Sequence, residues 1–283
     1  MAFLRWFGLV LACVGISLAG NVSVKAVTYN IRYDAGNDRG TRDWDQRKGK
    51  VVNYLLESGA TVIGLQEALK HQLDDVKGAM EGYGRIGVGR SDGKAGGEFS
   101  PILFKESVWK LDTEESGTFW LSETPEKAGS KSWGTSVTRI CTWARLIHRE
   151  SGVAIYVFNS HWDHRSAEAR KGSAGLILKR IKQRKQADEP AILMGDLNAT
   201  TDSPELKVLL NSGLLSDPGK EQFSTFNRWK AERLPGKRID HVLVTAGWKD
   251  TKAMVQANGN PAASDHHPVV FEGKLVSVQE TDK

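Results

Sequence analysis

Ala191-Ile192-Leu193-Met194-Gly195-Asp196-Leu197-Asn198 runs four apolar residues into a glycine and then sets two short polar side chains at the exit. A short continuous apolar run bounded by turn residues is the pattern of a strand covered on both faces. The same figure recurs outward along the chain. Residues 61–66 form an apolar run that ends in Gln66-Glu67, and 153–159 lead into Ser160-His161-Trp162-Asp163. The first run, in which Val22, Val24 and Ala26 alternate with polar residues, ends at Asn30. Asp240 heads 239–244, and Asp265-His266 stand before 269–275. Each has a plain alternative: Asp196 and Asn198 an Asx turn, His161 an interior hydrogen-bonded histidine, Glu67 the start of a helix. Together they have a common reading. Most of the apolar strands deliver an oxygen or imidazole ligand at one end, and in a sandwich of sheets such ends can converge on one rim.

Between these runs the pattern is helical or loop-like. Residues 46–58 carry Val51, Val52, Leu55 and Leu56 at helical spacing, with Asp43 and Gln46 as cap candidates. Residues 166–185 carry Ala174, Leu178 and Ile181 on one face. Residues 101–104 and 139–147 read as further strands, and the Gly-rich segment 84–98 as a loop or hairpin. No repeat or linker follows residue 20, so 20–283 reads as one domain of mixed sheets with flanking helices.

Composition is that of an ordinary globular protein: 40% hydrophobic and 26% charged residues exclude general disorder. A net charge of +5 is mild, and no Lys/Arg block marks a nucleic-acid tail. Arg5, the apolar run after it and Ser17-Leu18-Ala19 read as a secretory signal over 1–19, too short for a membrane span. The alternative is an uncleaved N-terminal anchor. Cleavage after Ala19 removes Cys13 and leaves Cys141 alone, which excludes an intrachain disulfide or a cysteine metal site. The expected product is an extracytoplasmic monomer. Gly87-Val88-Gly89 has Asp92 where a dinucleotide fingerprint needs glycine. There is also no phosphate-cradling Gly-Lys loop, no Gly-x-Ser-x-Gly elbow and no His-Glu-x-x-His helix.

Six motifs in order, Thr28-Tyr29-Asn30-Ile31-Arg32, Gln66-Glu67, Ser160-His161-Trp162-Asp163, Gly195-Asp196-Leu197-Asn198, Arg238-Ile239-Asp240-His241 and Ser264-Asp265-His266-His267-Pro268, resemble the endonuclease/exonuclease/phosphatase superfamily. These are Mg²⁺-dependent phosphodiesterases related to DNase I, the abasic-site endonucleases, neutral sphingomyelinases and the nocturnin group. Thr118 to Pro125 resembles an exported bacterial branch. The resemblance implies an α/β four-layer sandwich, two central mixed sheets flanked by helices.

A phosphodiester is an anion attacked by water, so its site must neutralise charge, activate water and stabilise the leaving oxygen. Glu67 and Asp265 offer hard oxygen ligands and Asn30 an amide oxygen, suited to Mg²⁺ with Mn²⁺ as substitute. By resemblance, Asp196 deprotonates the water and Asn198 orients it. His266, held by Asp240, binds phosphate or acts as an acid, and His161 donates to the phosphate or the leaving oxygen. The abasic-site enzymes carry an acid two positions after the asparagine. Arg32 stands there, which favours one metal and offers a substrate contact. Trp162 is a candidate for stacking on a base or sugar, as are Trp44, Trp120 and Trp133, with packing the alternative. Arg165, Arg170 and Lys171 are either phosphate grips or a solvated helix face. The leading reading is an exported phosphodiesterase of small or single-stranded phosphodiesters, rimmed by 84–98 and 118–125 with Trp120 rather than basic residues. A phosphomonoesterase and a non-catalytic binding module are the alternatives. A glycosidase leaves the Asp–His pair unexplained.

Overall fold

The computed structural model describes residues 22–220 and 222–275, so the expected leader over 1–19 lies outside the described residues. The apolar runs form the inner strands. β1 (Ser23–Asn30) is solvated on one side for its first turn and buried from Ala26 on. β2 (Val62–Gln66) is buried throughout. They pair in parallel, and β11 (Val269–Leu275) runs antiparallel on the other side of β1. With β3 (Tyr83–Ile86), β4 (Ile102–Lys105) and β10 (Trp248–Val255) they make a six-stranded sheet of order β10-β11-β1-β2-β4-β3. A five-stranded sheet has the order β5 (Trp109–Trp120), β6 (Ile140–His148), β7 (Ala154–His161), β8 (Ala191–Asp196), β9 (Asp240–Val244).

Three apolar clusters define the layers. Val24, Ala26 and Phe271 from the first sheet meet Val157, Ile192 and Val242 from the second, forming the core between the sheets. Behind the first sheet, Val27, Ile63 and Val270 pack on Val51 and Leu55 of α1 (Trp44–Glu57) and on Leu73 and Val76 of α2 (Lys70–Ala79). Behind the second, Phe158 and Leu193 pack on Ile177 and Ile181 of α3 (Ala167–Lys182) and on Leu206 and Leu209 of α4 (Pro204–Leu210). This is the DNase I-like sandwich of two mixed sheets between helices.

Helix ends follow the polar signals. Asp43 caps α1 by accepting from the Asp45 N–H, and Ser166 caps α3 by accepting from Ala169. Gln46 does not cap, and Leu56, read with the buried face of α1, is exposed. β3, β5 and β10 did not stand out in the sequence. All three are edge strands, where one side lacks a neighbour and the apolar alternation is diluted. No helix among the described residues is long and apolar enough to cross a membrane.

Candidate active site

Strand direction brings the polar residues together. β1, β2, β7 and β8 are mutually parallel within each sheet, so Asn30, Glu67, His161 and Asp196 leave at C-terminal ends. β9 and β11 run antiparallel to these neighbours, so their N-terminal starts, with Asp240 and Asp265-His266, lie at the same rim. The register sets His161 beside Asp196 and Asp196 beside Asp240. Gly195, just before, has φ +147°, and a Cβ there would collide with the Ser160 carbonyl oxygen of β7. Only glycine lets β8 approach β7 so closely.

The side chains form one buried network. The Asn30 amide nitrogen donates to Glu67 Oε1 and Asp196 Oδ2, each at 3.0 Å. His266 Nδ1 lies 2.9 Å from Asp240 Oδ2, and its Nε2 lies 3.8 Å from Asp196 Oδ2. His161 Nε2 is 3.5 Å from the same Asp196 oxygen. Asn198 donates from its backbone to Asp196 Oδ1 at 3.0 Å. Phe226 packs its ring 5.2 Å from that of His266.

Arg32, Glu67 and Asn198 all have positive φ, of 58°, 61° and 47°. Each follows a buried strand end closely. Left-handed backbone in non-glycine residues is strained and gathers at functional sites.

Burial shifts the titrating groups, and neighbours decide the direction. Burial, then the Asp240 carboxylate, push the Asp196 carboxyl up to about 7. Burial opposes charge on His266, but Asp240 and Asp196 outweigh it and lift that imidazole well above the usual histidine value. His161 goes the other way: burial, then Arg139 and Arg90, hold it well below. Burial raises Asp265, and nearby Glu67 raises it further against the opposing pull of His266.

Ligand atoms of Glu67, His161 and Asp196 lie within 4.8 Å of one another, as do those of Asp196, Asp240 and His266, so this acidic and histidine cluster can hold a divalent metal. Asp196 and Asp240 already face imidazoles. Glu67 accepts from the Asn30 amide and the Tyr33 N–H and lines the cavity with Asp265, and Arg32 lies 4.0 Å from each. Two carboxylates on one cavity wall, with no cation closer than 4.0 Å among the described residues, fit a hard cation. Asn30, expected as a ligand through its oxygen, turns that oxygen to the Arg32 N–H at 3.0 Å and its nitrogen to the carboxylates, so it bridges acids as it stands.

The network opens into a cavity of about 520 Å³. Arg32, Glu67, His161, Asp196, Asn198, Asp265 and His266 line it. Asp240 and Asn30 support them from behind. Trp162 does not reach it: the ring is fully buried beside Leu197 and Phe158, so the expected stacking contact is corrected to a core role. No described tryptophan lines the cavity. Trp44 is buried and donates to Asp75, and Trp133 packs on Gly172. Trp120 lies behind the rim and donates to the Arg90 carbonyl at 2.7 Å, bracing the 84–98 segment. That segment does rim the cavity, through Arg90 and Glu98, whereas 118–125 does not. Arg170 pairs with Glu205 across α3 and α4, and neither it nor Arg165 and Lys171 faces the site. Asp163 is spent on Thr135 and the backbone N–H groups of Arg165 and Ser166.

Sequence reasoning missed Arg90, Glu98, Arg139 and His164 as wall residues. They sit in loops or at a strand start, with no periodicity or motif to mark them.

The profile of the endonuclease/exonuclease/phosphatase family matches residues 27–266, and the chain belongs to that family of phosphoric ester hydrolases. No curated protein matches the sequence. Among solved structures, a family member from Bacteroides thetaiotaomicron is 31% identical with a TM-score of 0.84, over 91% of this chain and 100% of that one. The mannosyl-6-phosphatase of Bacteroides thetaiotaomicron VPI-5482 is 32% identical with a TM-score of 0.80, over 88% and 99%. The human nocturnin catalytic domain, 17% identical with a TM-score of 0.71 over 90% and 94%, shares the fold.

Proposed function

We propose that this chain hydrolyses a phosphomonoester of a small polar alcohol, with Mg²⁺ or Mn²⁺ as its metal, outside the cytoplasm after loss of its leader. Arg32 carries the monoester assignment. Paired through Nε with Asp38 Oδ2 at 3.2 Å, it lines the cavity 4.0 Å from both Glu67 and Asp265, where the abasic-site endonucleases have an acid. A monoester dianion bears one more charge than a diester, and a cation in place of an acid favours the more charged substrate. The cavity of about 520 Å³ suits a small ester rather than a duplex. The 32% identity to a mannosyl-6-phosphatase agrees with this choice over the diester reading of the sequence.

Glu67 and Asp265 would hold the metal. When bound, it supplies charge neutralisation and polarisation of a phosphoryl oxygen. Asp196, with a carboxyl near neutrality, takes a proton from the attacking water. The Asn198 backbone N–H and the Asn30 amide orient that carboxylate. The new P–O bond forms as the bond to the alcohol oxygen breaks. His266 carries a proton on the nitrogen facing the cavity and neutralises a phosphoryl oxygen, its ring fixed by Asp240. His161, neutral, donates one N–H to the phosphate or the departing oxygen.

Metal-loaded enzyme assayed on 4-nitrophenyl phosphate and bis(4-nitrophenyl) phosphate, then on an abasic duplex, tests the assignment. Higher kcat/KM on the monoester is expected, with Arg32→Leu narrowing the preference. A diester preferred by about tenfold, roughly 1.4 kcal/mol of transition-state discrimination, returns the chain to the phosphodiesterases. Absence of turnover on all three leaves a binding module.

A further inference from the structure

His161 Nε2 faces Asp196 at 3.5 Å and its Nδ1 faces Glu98 at 3.9 Å, and Arg90, Arg139 and His164 line the same cavity. Glu98, Arg90, Arg139 and His164 have no role in the chemistry above, yet one of them is an unusual arginine.

Arg139 stands just before β6 and is only 4% exposed. Among the described residues it makes no ion pair within 4.0 Å, and its Nε and Nη1 have no hydrogen-bond partner. Its one side-chain hydrogen bond runs from Nη2 to His164 Nδ1 at 3.2 Å. The neighbouring acids are occupied. Arg90 grips both oxygens of Glu98, at 2.7 Å each, and Asp163 is bound by Thr135 and two backbone N–H groups. Arg90 and Glu98 therefore cancel, and Arg139 is a surplus buried cation that lines the cavity, with its Nε and Nη1 unpartnered and shielded from solvent. A guanidinium cannot shed its proton at ordinary pH, and an unpartnered buried charge is costly unless something pairs with it. Arg139 can only donate to His164, so Nδ1 of that ring accepts. Burial and Arg139 lower His164, leaving it neutral with its proton on Nε2. His164 also lines the cavity and so adds a donor.

Resting on the monoester assignment, we infer that Arg139 and His164 form a subsite for a second anionic oxygen group, carried on the alcohol part of the substrate. The preferred substrate is then a phosphate ester whose alcohol bears a further phosphate or carboxylate. The Arg90–Glu98 hairpin braced by Trp120 forms the outer wall, and Arg90 neutralises the Glu98 carboxylate that also lines the cavity. The scissile ester meets Asp196 and His266, and the second anion meets Arg139 and His164 on the wall of the same cavity. The two groups must belong to one compact molecule, since one cavity holds both.

The inference is tested with metal-loaded full-length enzyme on matched pairs: glucose 6-phosphate against glucose 1,6-bisphosphate, and glucitol 6-phosphate against 6-phosphogluconate. At least about tenfold higher kcat/KM is expected for one anion-bearing member, the gain of one charge-assisted contact. The pair showing the larger gain identifies the second group as phosphate or carboxylate. Arg139→Met should bring that ratio to within about twofold of unity, and Arg139→Lys should keep part of it because the charge is retained. Thermal unfolding separates this from a structural role. Without ligand, Arg139→Met should unfold at the same or a higher temperature than wild type, because a surplus buried charge is removed. The bisphosphate should raise the unfolding temperature of the inactive Asp196→Asn protein, and should do so less when Arg139→Met is added. A ligand-free loss of stability in both Arg139 variants, or equal kcat/KM within both pairs, overturns the subsite and leaves the phosphatase assignment standing. Absence of turnover on every ester overturns the assignment, while the ligand-induced unfolding shift still decides the subsite.

Discussion

Asp240→Asn is the sharpest probe of the buried network. The Asp240 carboxylate is fully buried and accepts from His266 Nδ1 at 2.9 Å, and its other oxygen has no partner. Asparagine keeps the shape and an acceptor oxygen but removes the charge. A hydrogen bond to a charged group contributes about 1.5–3 kcal/mol. The proton affinity of His266 should therefore drop roughly tenfold to a hundredfold. The fraction of enzyme with an imidazolium then falls, and ring orientation becomes less certain. Losses of about 10²–10⁴ in kcat/KM are expected. The sign follows from the direction of the shift. In the metal-free protein, His266 is raised above its unfolded value of 6.5. Its contribution to stability is thus full below that pH and is lost as pH rises through the folded value. In the variant that loss should move to lower pH. The assays are kcat/KM on 4-nitrophenyl phosphate with metal, and an NMR titration of the histidine rings in chelator. Wild-type kcat/KM to within about threefold, with an unmoved His266 titration, would refute the pair.

Glu67→Gln should raise the Mg²⁺ concentration needed for half-maximal activity at least tenfold while the fold is kept, and excess EDTA should abolish wild-type turnover; full activity in chelator contradicts the assigned ligands. Trp162→Ala should cost about 3–5 kcal/mol of stability and leave the KM of the folded fraction near wild type, whereas a large KM change at unaltered stability would restore a substrate contact. Gly195→Ala should give little folded protein, because the new Cβ meets the Ser160 carbonyl oxygen; a soluble, active variant argues against the tight β7–β8 approach. Mass spectrometry of protein recovered from its native host should show a start near Gly20, and an intact Met1 would mean that 1–19 is retained.

Much of this molecule was legible in one dimension. The inner strands were readable because burial on both faces demands uninterrupted apolar residues, as in 61–66 and 191–194. The cap at Asp43 was readable because few side chains can satisfy the free N–H groups of a first turn. Asn30, Glu67, His161, Asp196, Asp240 and His266 were readable because polar groups at buried strand ends are few and each needs a partner. The edge strands β3, β5 and β10 were not, since exposure relaxes their pattern.

Some properties exist only in three dimensions. The side of Trp162 that matters is set by packing: His161 just before it lines the site, but its own ring points into the layer beneath α3. The turn of Asn30 toward two acids depends on Glu67 and Asp196, which lie 37 and 166 residues away. Arg139 shows the limit most clearly. Its place before a strand is ordinary in sequence, and its exceptional state arises because Glu98 and Asp163 are each taken by other partners. The sequence by itself determined the layered α/β fold, the family and the residues that gather at the rim. Local composition decides which segments are buried and where they end. Only the tertiary structure decided which of those residues face the cavity, which charges cancel and which cation is left over, because pairing is a matter of distances between strands that the chain order does not contain.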